Sequence, residues 1–527
     1  MNFAFFLANS FRAQFTPGFR KPMAATDSSL ISRVFCALQS LAYAPNSQIQ
    51  KHEAPVHRMP TELVLLIFTF ALPPSATSDG LSSIQEGPWV FSAVCSCWRT
   101  IALSQPCLWA TISLDFMHED WELPSFETIQ PRLEAHLERS QQVPLHITFR
   151  ACWHEAHCRE LELPVMNILA LHCNRWETAS LTGSSMFYYH LSDSIRGNLS
   201  QLRAIDIRVR QEHPVPRGGP LTLFDSCPRL QEAFVNPGRY GGDCPLAIDL
   251  PFSQLRRYSG NNSWANHACV LRSTPSNLVD CVLHLIGSPA PSASRILLPY
   301  LRRLSVSSTD ILALLDTPAL QELYYHHSAH LPAFLARVPA LRKLFVADIP
   351  SAEHLERILW AAPPTVAELC LYLPVQLASH LFAILGSRPG RDGVPAMALR
   401  ALSLCFVPDS DRSSAPAPTP FDPGALLRCA EGLRSLKLYG GRGGVNLLPP
   451  LPSRLRVAPF PSSGALYADM VPEDFRLSNL DPDPDSSGTG RSVWLITTMD
   501  SDSEVHVHEG DYAQRENPKA LELKPPG

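Results

Sequence analysis

Two clusters in this 527-residue chain hold side chains able to do chemistry. The first is VCSCWRTIALSQPCLW, where Cys95, Cys97 and Cys107 accompany Trp98 and Trp109. Thiolates at Cys-x-Cys spacing could seed a tetrahedral zinc site, which needs further ligands at compatible spacing. No histidine separates Cys97 from Cys107, so Cys95 reads as a buried helix thiol. The second is CWHEAHC, Cys152 to Cys158, followed by His172 and Cys173. Its ligand types suit zinc, but His154 and His157 do not have His-Glu-x-x-His spacing, and its cysteines are crowded for a structural finger. It reads as a polar insertion between strand and helix, and neither metal nor cofactor is expected. No Gly-x-Gly-x-x-Gly, Walker or Gly-x-Ser-x-Gly segment occurs, so catalysis is not expected either.

Attention therefore moves to the elements that would hold a binding surface. Hydrophobic residues at 45% and charged residues at 18% describe a folded chain with a large core. The longest apolar run, LVLLIFTFAL from Leu63, is about half the ~18–20 residues of a membrane span. The 14 cysteines follow no disulfide framework and suit reduced thiols. The N-terminal apolar run has no positive charge ahead of it and makes a poor secretory signal. The first 26 residues lack acids, as a mitochondrial presequence would, and Met23 offers an alternative start. With no secretory signal or membrane span read, cytoplasm or nucleus is the expected location. Of the net charge of -5, the region from Val471 onward contributes 12 acids against 5 bases, which leaves the body near neutral. Such a body lacks the basic face that nucleic acid requires.

A pattern recurs along the middle: an aliphatic anchor, two variable residues, then apolar residues alternating with variable ones. Its anchors are Leu202, Leu230, Leu255, Leu278, Leu301, Leu320, Leu341, Val366, Leu399 and Leu433, with an earlier member at Trp176. A strand of this kind has one apolar face that a single repeat is too small to cover, so stacked parallel strands with helical returns are expected. The spacing is that of an irregular leucine-rich repeat. Ahead of it, HRMPTELVLLIFTFALPP reads as a helix, with Pro60 near its start and Leu63, Leu66, Ile67 and Phe70 on one face. A second helical stretch runs from Trp89 to Leu103, with Val94, Trp98 and Ile101 sharing a face.

The ordered set MPTELVLLIF, PWVFSAVCSCWRTIALSQPCLW and ATISLDF resembles the F-box module in the variant abundant in mushroom-forming fungi, where it precedes irregular leucine-rich repeats. The resemblance spans roughly residues 55–440. It implies an α/β chain: an N-terminal extension (1–54), a small all-α F-box module (55–112), a leucine-rich-repeat solenoid with a parallel sheet (113–445), and a mostly disordered acidic tail (446–527). It also implies a substrate receptor that binds a Skp-type adaptor, and through it a cullin, while the repeats hold a target protein. The adaptor residues it implies are Met59, Pro60, Leu63, Ile67, Phe68, Val94, Cys95 and Trp98. Ser96 and Cys97 depart from the two basic residues usual there, and Trp98 suits internal packing as well as adaptor contact. A different reading keeps the helical unit only as a cap on a repeat scaffold.

Strand alternation places Phe234, Tyr324, His326, Phe345, Tyr372 and Tyr439 on an inner face with Glu322, Lys343, Glu368 and Lys437. Aromatic anchors among mixed charges suit a protein-binding surface, with Tyr324, Phe345 and Tyr372 as its centre.

Overall fold

The computed structural model describes residues 59–72, 87–116, 125–151, 158–210, 221–236, 248–274, 276–286, 294–307, 309–325, 330–347, 349–374, 376–385, 398–407, 433 and 435–440. His326, the 152–157 insertion, the N-terminal extension and the acidic tail lie outside them.

Helix α1 (Thr61–Ala71) begins after Pro60, and Glu62 sits in its first turn against the positive end of the helix dipole. The expected single helix over 89–103 is instead two, α2 (Gly87–Val94) and α3 (Ser96–Ser104). Cys95 makes the break. Its backbone is extended, and its Sγ accepts the Trp98 N–H at 3.4 Å, capping α3. Cys95 is thus a partly buried cap, not a buried helix thiol. Val64, Phe68, Trp98, Ile101, Ala102, Leu108 and Trp109 form this unit's core. Phe68 stacks on Phe91 at 4.3 Å and meets Trp98 edge-on at 4.9 Å.

The remainder is strand and return, repeated. The strands are β1 (Thr111–Asp115), β2 (Leu145–Arg150), β3 (Trp176–Ser184), β4 (Ala204–Arg210), β5 (Glu232–Asn236), β6 (Arg257–Asn262), β7 (Asp280–Leu285), β8 (Ile296–Leu297), β9 (Arg303–Val306), β10 (Leu315–Asp316), β11 (Glu322–Tyr325), β12 (Lys343–Val346), β13 (Glu368–Pro374), β14 (Ala401–Val407) and β15 (Ser435–Gly440). Thirteen of them form one sheet in chain order, while β8 and β10 pair separately. All pairs are parallel, which requires a crossover after each strand. Helices supply many of these: α4 (Phe126–Arg139), α5 (Leu163–Ala170), α6 (Ser185–Ile195), α7 (Trp264–Ser273), α8 (Thr309–Ala313), α9 (Leu331–Leu335), α10 (Ala352–Ala361) and α11 (Leu377–Leu385).

The anchors explain the stacking. Leu202, Leu230, Leu255, Leu301, Leu320, Leu341 and Val366 are wholly buried, and Leu278 nearly so. They share one continuous core with the alternate strand residues, such as Leu323 and Tyr325 of β11 or Leu344 and Val346 of β12. Just after each anchor the backbone is hydrogen-bonded to the preceding coil: Gln231 to Arg203, Arg256 to Gln231, Val279 to Arg256, Arg302 to Val279, Gln321 to Arg302 and Arg342 to Gln321, each N–H to O at 2.8 Å. Each coil therefore satisfies its neighbour's backbone as well as covering its leucines. One close approach needs a glycine. A Cβ on Gly260 would collide with the Tyr258 hydroxyl, which contacts His267 Nδ1 at 3.1 Å, while His267 Nε2 reaches the His284 carbonyl at 2.8 Å.

Candidate functional site

Two surfaces carry the residues singled out by sequence. On the helical unit, α1 turns Val64 and Phe68 inward and leaves Leu63, Leu66 and Phe70 exposed at 50%, 45% and 56%. Pro60 is exposed beside them, and Met59 and Ile67 are partly buried. The implied adaptor set is therefore divided. Phe68 and Trp98 are core, at 0% and 6% exposure, because their rings pack together. Val94 and Cys95, at the α2–α3 break, are half-buried. Leu66 and Phe70 join the exposed stripe without belonging to the implied set. Their i, i+3, i+7 spacing from Leu63 is its sequence signal.

The unit is joined to the first coils by an aromatic knot that has no sequence signature. Trp89 Nε1 donates to His136 Nδ1 at 3.2 Å, and Trp89 meets Trp109 edge-on at 5.0 Å. The Arg139 guanidinium lies over both indoles, at 4.1 and 4.5 Å from their centroids, and Trp109 Nε1 donates to the Ala102 carbonyl at 2.8 Å. Burial, joined by the nearby Arg139 charge and only partly offset by a bond to the Arg132 carbonyl, lowers the His136 pKa to about 4.

The second surface is the sheet face opposite the leucines. Over β1 to β6 it is polar and internally bonded: Arg150 to Asp115 at 2.9 Å, Ser180 and Arg208 to Asp206 at 3.0 and 3.2 Å, Asn261 to Asn236 at 3.4 Å. From β7 to β14 it also carries apolar side chains, beside a row of charged ones. Val282, Tyr324, Phe345, Cys370 and Cys405 form a separate cluster, with Ala347 and Tyr372 against it. Tyr324 and Phe345, expected as open partner contacts, are buried at 0% and 1% exposure. Their rings lie 6.2 Å apart on paired strands, and the Tyr324 hydroxyl donates to Glu322 at 2.7 Å. Burial, and then that bond and the Glu322 charge, push the Tyr324 pKa upward. Tyr372 alone of the three stays partly exposed. It is in register with Cys405, one row beyond Phe345. Phe234 is also partly exposed, beneath the Arg208 guanidinium at 5.2 Å. For Tyr439 and Lys437 only the backbone pairing of β15 is described.

Among the described residues no cluster of three or more histidine, cysteine or acidic side chains could hold a metal ion, and no helix is long and apolar enough to cross a membrane. No protein-family model matches the chain, and no curated protein matches it. A solved structure, the crystal structure of a TLR13–ssRNA13 complex, is similar at 13% sequence identity with a TM-score of 0.29. The match covers 62% of this chain and 54% of that one, so it spans about half of that protein's length.

Proposed function

We propose that this chain is a non-catalytic substrate receptor of a Skp-cullin-F-box type ubiquitin ligase, holding an adaptor through the helical unit and a target protein through the repeats. The observation that carries this reading is the exposed Leu63–Leu66–Phe70 stripe beside Pro60, on a helix whose other side already forms a core. An apolar helix stripe left uncovered among the described residues suits helix-in-groove association, where a few anchors supply most of the energy. Phe68 and Trp98 then act from beneath, setting the pitch of α1, while Met59, Ile67, Val94 and Cys95 line the rim of the contact. On the repeats, Tyr372 with Lys343 and Glu368 is the accessible remnant of the expected aromatic face.

The knot of Trp89, Trp109, His136 and Arg139 favours a second reading, in which the unit only caps the first coil of a scaffold. One measurement separates the two. Co-expressed with a Skp-type adaptor, the wild-type chain co-purifies with it. Leu63→Asp combined with Phe70→Asp abolishes the complex, while the unfolding transition moves by no more than about 0.5 kcal/mol per site, as for ordinary surface changes. A wild-type chain that captures no adaptor supports the cap.

A further inference from the structure

The sheet face opposite the leucines carries a regularity that covering the leucines does not require. The first residue of β5 is Glu232, and its register partners on successive strands are Arg257, Asp280, Arg303, Glu322, Lys343 and Glu368. Seven consecutive strands of the sheet thus present strictly alternating charge in a single row, about 4.8 Å apart. Over its first four members, Glu232 to Arg303, the row is joined up. Arg257 pairs with Glu232 at 3.3 Å and Asp280 at 3.4 Å; Arg303 grips Asp280 through both Nε and Nη2. Asp280 is 7% exposed, so its carboxylate is held by two guanidinium groups where water is scarce. Glu322 accepts from Tyr324, whose ring lies 5.3 Å from the Lys343 ammonium.

We infer that this row is a sign code for coil order: it holds the register of β5 to β13 and opposes pairings that skip a coil. The reason is parity. Omitting any one interior strand brings its two neighbours together, and in an alternating row those neighbours have the same sign. Skipping β9, for instance, sets Asp280 against Glu322, and skipping β12 sets Glu322 against Glu368. The leucine anchors give no such discrimination, since every coil presents much the same apolar edge. A slip of one residue is opposed as well, because it would carry a charge onto the leucine face. Like charges directly opposite on neighbouring strands are destabilising, and opposite charges stabilise.

Charge reversals within the row allow a case in which more mutations do less harm. Lys343→Glu creates two like-charge contacts, with Glu322 and with Glu368. Adding Glu368→Lys removes one of them and leaves a single defect. All the variants at 343 lose the cation over Tyr324, so their comparison isolates the row. Lys343→Met, which removes the positive charge between Glu322 and Glu368 without adding repulsion, completes the set. Each full-length variant is unfolded in urea at low ionic strength and refolded by dilution. The expected result is that Lys343→Glu has the lowest urea midpoint and the lowest recovery of the native species, below Lys343→Met, and that Lys343→Glu with Glu368→Lys regains part of both. At about 1 M salt, where the screening length falls to about 3 Å, the differences should narrow. If the double variant fails to regain either quantity over Lys343→Glu, or if Lys343→Met falls as low as Lys343→Glu, the inference is overturned.

Discussion

The helical unit and the coils use the same apolar residues in opposite ways. In the coils leucine is the interior: Leu320, Leu323, Leu341 and Leu344 are wholly buried, and each is covered by the next coil. In the helical unit three rings, Phe68, Trp98 and Trp109, share the interior with Val64, Ile101, Ala102 and Leu108, while Leu63 and Leu66 face outward. The difference lies in what each element has to cover it. A coil always has a neighbour at fixed spacing, so a medium-sized branched side chain fills the gap. Three short helices have no repeating neighbour, and a few large rings must span their separation. Leucines exposed among the described residues of such a unit suit a partner's groove, as the proposed receptor role requires.

The contrast can be broken at the point where the two regions meet. Trp109→Ala should cost the most, about 3–5 kcal/mol, because it opens a cavity beneath Trp89 and Arg139 and removes the hydrogen bond to Ala102. Chemical denaturation should show the loss, and a helical unit that then melts ahead of the coils would locate the joint at the knot.

Acid tests the joint against the coils, since burial holds His136 neutral at the knot and His267 neutral farther along the coils. Burial depresses His136 at the knot and His267 in the coils from 6.5 to about 4. A lowered folded pKa means the neutral ring is favoured in the native state. This contribution is fully present above pH 6.5 and is lost as pH falls from 6.5 toward 4, by about 3 kcal/mol for each histidine. Stability measured across that window should decline, and His136→Gln should flatten the decline in the transition of the helical unit.

The smallest of these effects concerns the caps. Ser351 accepts the His354 N–H at 3.3 Å to start α10 in the coils, so Ser351→Ala should lower stability by about 1 kcal/mol. Cys95→Ala should cost less, because a thiol is a weak acceptor. Matched denaturation curves of the two variants check the order.

Much of the coil architecture is legible from residue spacing. Each aliphatic anchor is followed by alternation, and the pairings Glu322↔Lys343 and Lys343↔Glu368 follow from aligning consecutive motifs. The start of α1 after Pro60 is legible for a similar reason, since proline restricts its own backbone. The break at Cys95 is not. An apolar stretch with helical periodicity reads as one helix unless an extended residue is known to interrupt it. The burial of Tyr324 and Phe345 was equally hidden, because alternation assigns a side chain to a face but says nothing of what covers that face.

The order of the coils, the positions of their leucines, the alternating charges two residues after seven anchors and the helical character of the leading unit all come from periodicity within a few residues. Which side of α1 faces outward, and how His136 and Arg139 close over Trp89 and Trp109, came from packing instead. Those outcomes depend on groups about 20 to 50 positions apart in the chain, whose encounter is set by how the coils and helices pack.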